Sequence, residues 1–138
     1  MRLLIVSRPF VFHGGVETAT AGLVGALVSH GYDVHLLSSR GQYPVPGVVR
    51  HTLRLPRGPA MARALAFALG TRLVVTRRSW DVVQSHERTL GQDVYRAGEG
   101  CHRAYLASEA RPRARGLYHR IVLALERRVF ARTPQIVA

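Results

Sequence analysis

The chain of 138 residues contains one cysteine, no lysine and no asparagine. The single Cys101 excludes an internal disulfide and any zinc site built on paired cysteines. No uncharged apolar run approaches the roughly 20 residues that a membrane-spanning helix needs. The opening MRLLIVSRPF is too short and too soon interrupted for a secretory signal, and is typical of a first strand. We therefore expect a cytoplasmic protein without a metal site.

Acidic residues are scarce as well: 8 carboxylates stand against 20 arginines, which gives a formal net charge of +12. The exclusive use of arginine is typical of a codon bias in a high-GC genome. The charge nevertheless attracts anionic partners such as nucleic acid, phospholipid headgroups or phosphorylated sugars. A basic module that binds membranes or RNA is therefore an alternative to an enzyme.

Apolar segments bounded by turn residues alternate with segments of helical spacing. Strands are predicted over residues 2–7, 33–38, 48–55, 81–85 and 135–138. Helices are predicted over residues 16–30, 59–77 and 116–132, whereas residues 89–106 mix short helical and loop signals. This alternation predicts an α/β fold, a Rossmann-like open parallel sheet in the order 3-2-1-4-5 with helices on both faces. The last predicted strand is cut short, so we expect a piece of a longer protein.

Two adjacent glycines, Gly14 and Gly15, follow the first predicted strand, where the strand order reverses. Ligands of such sheets bind beyond the carboxyl ends of the strands, and the next helix directs its N-terminus there. The segment HGGVET lacks the third glycine of the dinucleotide fingerprint, and the absence of lysine excludes the nucleoside-triphosphate loop. A ligand-binding loop and a structural turn both remain open.

Charged residues near the same edge favour a ligand site. Glu17 in the first predicted helical turn either stabilises the helix dipole or offers a carboxylate to hydroxyl groups. His86 follows the fourth predicted strand directly and is expected to face the cleft, with Glu87 and Arg88 extending that edge. The alternative for His86 is a solvated loop histidine.

Three phrases carry a family resemblance: HGGVETATAGLVGALVSHGYDVHLLS, TLGQDVYRAGEGCHRAYL and LALERRVFAR. Together they resemble the amino-terminal half of a retaining family-four glycosyltransferase of the GT-B fold, in the branch of the lipopolysaccharide-core glucosyltransferases. The resemblance implies a single acceptor-side domain over residues 1–138 and a donor-binding second domain that this chain lacks. It also implies a hexosyltransferase for cell-envelope polysaccharide or glycolipid synthesis, inactive without that domain. A degenerate remnant is a further alternative.

The resemblance also implies roles for particular residues. Gly14 and Gly15 would lie against the donor diphosphate and the acceptor at the interdomain cleft, and Glu17 and Thr18 would border the acceptor. The implied catalytic residues are His86 and Asp93, and the further substrate-binding residues are Glu87 and Arg88. For Asp93, a helix cap is the alternative.

The implied ligands are a nucleotide-diphosphate sugar as donor substrate and a sugar or lipid-linked acceptor. No tightly bound cofactor, metal or nucleic acid is expected. An arginine-rich surface would allow peripheral contact with the anionic inner face of a membrane.

Overall fold

The computed structural model describes residues 1–10, 15–98, 102–108 and 116–137. Its strands, in chain order, are β1 (Arg2–Val6), β2 (Asp33–Ser39), β3 (Val48–Leu53), β4 (Val82–Ser85), β5 (Val94–Arg96) and β6 (Gln135–Val137). The helices are α1 (Gly15–Ser29), α2 (Ala60–Arg77), α3 (His102–Ser108) and α4 (Leu117–Arg132).

The strands form one parallel sheet in the order β3-β2-β1-β4-β5-β6. The predicted α/β fold and its strand order are confirmed, with one strand added. The addition is β5, which pairs with β4 on one side and β6 on the other. Its three residues are too few to show a period, which is why residues 89–106 carried mixed helical and loop signals.

Helices cover both faces of the sheet, which explains why β1 is a continuous apolar run. On one face, Ile5 packs with Val24 of α1. On the other, Leu4 and Val6 lie in a cluster that includes Phe67 of α2. Helix α4 packs against α2, so α2 and α4 share a face and α1 covers the opposite one.

Gly47, in the turn between β2 and β3, provides a test of this packing. Its φ is +74°, and an added Cβ would lie 2.6 Å from Cγ1 of Val28 on α1. Gly47→Ala therefore combines left-handed strain with a clash, and we expect it to lower the free energy of unfolding by about 2 kcal/mol. Urea denaturation followed by circular dichroism measures this change.

Gly25→Ala is the matched control, because Gly25 is exposed within α1 and an added Cβ would meet no atom within 4 Å. Alanine is the better helix former, so the control should raise the free energy of unfolding by about 0.5–1 kcal/mol. Equal destabilisation by both substitutions would contradict the packing described here.

Candidate functional site

The carboxyl ends of the parallel strands meet at one edge of the sheet, where such folds bind ligands. A cavity of about 470 Å³ opens there, on the face of α2 and α4. Its walls include polar residues that follow β1 and β4, aromatic residues of α3 and α4, and apolar residues of α2 and α4. The polar residues are Arg8, Glu87 and Arg88. The aromatic residues are His102, Tyr105 and Tyr118, and the apolar residues are Phe67, Val122 and Leu125.

Glu87 is held at the cavity by its backbone and by an ion pair. Nε of Arg8 donates to Oε1 of Glu87 at 2.9 Å. The hydroxyl of Ser85 donates to the Glu87 carbonyl at 2.8 Å and accepts from the Glu87 N–H at 3.1 Å. The last residue of β4 thus fixes the turn that carries the carboxylate into the cavity wall.

Arg88 is paired with Glu126 of α4, which is only 5% exposed. Nε of Arg88 donates to Oε2 of Glu126 at 3.1 Å. The same carboxylate accepts the backbone N–H groups of His102 at 2.6 Å and Arg103 at 3.1 Å. Glu126 therefore satisfies the first turn of α3 and joins it to α4 and to the loop after β4.

Burial of Glu126 disfavours its charged form, but the N–H donors of His102 and Arg103, with Arg88, outweigh this and lower its pKa from the ordinary value. Our sequence analysis assigned no role to this residue. A signal was present: Glu126 shares the buried stripe of α4 with Val122, Leu125 and Val129. A carboxylate on an apolar stripe needs buried partners.

The aromatic wall comes from two helices. Nε2 of His102 lies 3.0 Å from Nδ1 of His119, and the two rings stack with centroids 5.2 Å apart. The rings of Tyr105 and Tyr118 are 56% and 41% exposed, so their surfaces are accessible from the cavity. The sequence predicts no role for these two histidines, because their spacing along the chain does not show that α3 and α4 pack together.

His86 lies on the other side of the same edge, 6% exposed beneath α1. Its Nδ1 is 2.9 Å from Oγ1 of Thr20, and its Nε2 is 2.8 Å from Nε2 of Gln84. Burial, and then the charge of Arg96, lower the pKa of His86 to about 4, so the ring is neutral at pH 7. Both ring nitrogens have protein partners. The catalytic role of His86 stays a prediction, and the geometry shown is that of a residue joining β4 to α1.

Asp93 lies at the amino end of β5, away from the carboxyl edge. Its Oδ2 accepts the N–H of Val83 at 2.8 Å, and its own N–H donates to the Val83 carbonyl at 2.8 Å. The carboxylate thus extends the ladder between β4 and β5, and the helix-cap alternative is wrong because a strand follows. A catalytic role for Asp93 stays a prediction that we do not carry into the proposed site.

The residues predicted near the glycine pair fall on α1, the helix of the opposite face. Gly15 and Thr18 are exposed in its first turns. Oε2 of Glu17 is buried, with no hydrogen-bond partner in the described part of the chain. Gly14 lies outside the described residues. The structure therefore places Glu87 and Arg88 in the cavity and Gly15, Glu17 and Thr18 on the α1 side.

The described part of the chain shows no group of three or more His, Cys, Asp or Glu side chains arranged to hold a metal ion. In the same ranges, no helix has both the length and the apolar character needed to cross a bilayer.

The sheet is parallel, is covered by helices on both faces and is open at its carboxyl edge. This architecture is found in the GT-B glycosyltransferases. The model of Glycosyltransferase Family 4 matches residues 13–138, and the chain belongs to that family. Among curated proteins, no sequence matches it.

A solved structure gives the same fold. The crystal structure of WaaG, a glycosyltransferase involved in lipopolysaccharide biosynthesis, matches with a TM-score of 0.82 at 17% sequence identity. The match covers 99% of this chain and 38% of the WaaG chain. The described fold thus corresponds to the amino-terminal part of a GT-B glycosyltransferase.

Proposed function

We propose that this chain is the acceptor-binding half of a nucleotide-sugar-dependent glycosyltransferase. The observation that carries the proposal is the cavity of about 470 Å³ at the carboxyl edge of the sheet. Membership of the glycosyltransferase family supports the reaction class. The chemistry of the cavity wall supports a sugar as its occupant.

A sugar presents hydroxyl groups at its rim and C–H groups on its faces. Tyr105 and Tyr118 offer aromatic surface for the C–H faces, because an aromatic side chain combines an apolar body with a polar tip. The ion pair of Arg8 and Glu87 offers both donors and acceptors for the hydroxyls. The cavity thus suits an uncharged, hydroxyl-rich ring.

The donor in this proposal is a nucleotide-diphosphate sugar, held largely by a second domain of the GT-B fold. Gly15 opens α1 at the same edge of the sheet, and the N-terminus of a helix suits a diphosphate. Charge that develops on the leaving diphosphate would be stabilised there. We propose transfer with retention of anomeric configuration, and no transfer without the second domain.

The proposed setting is cell-envelope polysaccharide or glycolipid synthesis on the cytoplasmic side of a membrane. WaaG, whose fold matches, is involved in lipopolysaccharide biosynthesis. Exposed arginines, among them Arg120 and Arg127 of α4, suit peripheral contact with anionic headgroups. Membrane contact of this kind would be lost as salt is raised.

Saccharide binding to the isolated chain tests the acceptor assignment. We expect hexoses to perturb the NMR signals of Tyr105 and Tyr118 in a saturable way, and UDP not to bind this half tightly. Tyr118→Ala should weaken saccharide binding about fivefold, because it removes one aromatic face. Saturation-transfer NMR measures the affinity.

Tyr32→Ala is the control, since Tyr32 is 40% exposed and lies outside the cavity. An equal loss from both substitutions, or no saturable response to any saccharide, would refute the acceptor-binding role. Tight UDP binding by this half would reassign it to the donor.

A further inference from the structure

A second cavity, of about 370 Å³, lies beyond the carboxyl ends of β2 and β3. Ser39, Leu55 and Arg63 line both this cavity and the larger one, so the two form a continuous groove. Among the described residues, the charged ones that line the second cavity are three arginines, namely Arg40, Arg57 and Arg63. We call these three residues the arginine triad.

The arginine triad differs in its pairing from Arg8 and Arg88, which line the larger cavity only. Arg8 and Arg88 have Glu87 and Glu126 as ion-pair partners. In the part of the chain that the structure describes, no side chain of the triad takes part in an ion pair or a side-chain hydrogen bond. No described carboxylate therefore compensates the positive charge around the smaller cavity.

The start of α2 adds to this positive potential. The helix begins at Ala60, next to the triad, and has no acidic residue in its first turn and no side-chain cap. Its partial positive charge is thus not neutralised locally. Guanidinium groups bind phosphate oxygens through paired N–H donors, which makes a phosphoryl group the best-matched ligand.

We propose that the acceptor sugar carries a phosphoryl group, and that the arginine triad binds this group while the sugar ring occupies the larger cavity. The inference rests on the proposed function for the identity of the sugar site. It adds the substrate class, a phosphorylated saccharide rather than a neutral one. In this proposal Arg8 and Arg88, which are paired with carboxylates, recognise the sugar hydroxyls. The arginine triad recognises the phosphoryl group.

Binding of glucose 6-phosphate, compared with glucose and with inorganic phosphate, tests the proposal. The full chain, labelled with ¹⁵N, is titrated in 0.15 M salt and followed by NMR. We expect inorganic phosphate to bind saturably near Arg57 and Arg63, and glucose 6-phosphate to bind about tenfold more tightly than glucose. The double substitution Arg57→Gln with Arg63→Gln should weaken both phosphate-containing ligands about tenfold.

A matched control removes the same charge from the C-terminal part of α2. Arg72→Gln with Arg77→Gln changes two exposed arginines that line neither cavity. This variant should bind glucose 6-phosphate as the unmodified chain does, and circular dichroism checks that both variants are folded. An equal loss in both double variants would show a general charge effect and overturn the proposal.

A second arm tests whether a phospholipid headgroup is the source of the phosphoryl group. Cosedimentation with phosphatidylglycerol vesicles is compared with phosphatidylcholine vesicles for all three proteins. Vesicle binding that depends on the triad, without a saturable response to glucose 6-phosphate, would overturn the sugar-phosphate assignment in favour of a lipid. The expected result is vesicle binding that survives the double substitution of Arg57 and Arg63, with glucose 6-phosphate binding weakened about tenfold.

These measurements involve no sugar transfer, so they separate the triad from the proposed function. Loss of saccharide binding at the tyrosines with intact phosphate binding would refute the acceptor-binding role alone. Intact saccharide binding without any phosphate preference would refute the phosphoryl subsite alone.

Discussion

Glu126→Ala is expected to lower the free energy of unfolding by about 3–5 kcal/mol, the range for removing one partner of a buried charged group. The substitution leaves Arg88 without its carboxylate and the N–H groups of His102 and Arg103 without acceptors. Because Glu126 joins α3 and α4, the cavity wall formed by these helices should loosen as well. Urea denaturation measures the stability, and hydrogen exchange of the α3 amides measures the loosening.

Two further variants show how much of this loss of stability comes from the charge and the burial of Glu126. Glu126→Gln keeps one acceptor oxygen but removes the charge, so its loss of stability should fall between that of alanine and zero. Glu87→Gln removes the carboxylate of the more exposed ion pair with Arg8. It should lower the free energy of unfolding by about 0.2–1 kcal/mol. Similar losses from Glu126→Ala and Glu87→Gln would contradict the anchoring role of Glu126.

Because the pKa of Glu126 is lowered in the native state, its contribution to the free energy of unfolding depends on pH. Its ordinary pKa is 4.5, and the native value lies below that. The stabilisation by its charge is therefore complete above pH 4.5 and is lost as the pH falls through the native pKa. Glu126→Gln should remove this part of the acid sensitivity.

His86 is expected to make the protein about 3 kcal/mol less stable at pH 4 than at pH 6.5, through proton binding alone. The native pKa of about 4 lies below the ordinary value of 6.5. Between these values the unfolded chain binds a proton that the native ring does not, so stability rises with pH across this window. Above pH 6.5 the contribution is complete, and below about pH 4 no more is lost.

The test compares the pH dependence of unfolding in the parent chain and in His86→Gln. Unfolding is followed by far-UV circular dichroism and not by the fluorescence of Trp80. The ring of Trp80 lies edge-on to His51, whose pKa is also lowered, so the titration of His51 would change that fluorescence. His51 titrates in both proteins and cancels from the difference. A slope unaffected by His86→Gln would refute the buried neutral state.

Much of the fold follows from local patterns. The apolar run at residues 3–6 requires cover on both faces, and the Gly31 turn, with φ of +82°, ends α1 before β2. Alternating strands and helices then permit few topologies. Strand β5 was not predicted, because its three residues carry no pattern of their own. They form a strand because they pair with β4 on one side and β6 on the other.

The same limit applies to the site residues. His86, Glu87 and Arg88 were predicted at the carboxyl edge, and each follows β4 there. Alternation along the strand sends the side chain of His86 beneath α1 and that of Glu87 to the opposite face. Asp93 was predicted from a resemblance in sequence, which does not show that β5 starts at the far edge of the sheet.

By itself, the sequence determined the fold class, the strand order and the edge at which a ligand can bind, because these depend on periodicity and turn chemistry along the chain. Only the tertiary structure decided what lines the cavity. Tyr118 and His102 meet there because α3 and α4 pack together, with Glu126 accepting the His102 N–H beside the cavity. Arg40, Arg57 and Arg63 meet because two strands end beside the start of α2. Contacts between segments distant in sequence depend on packing, and no local pattern encodes them.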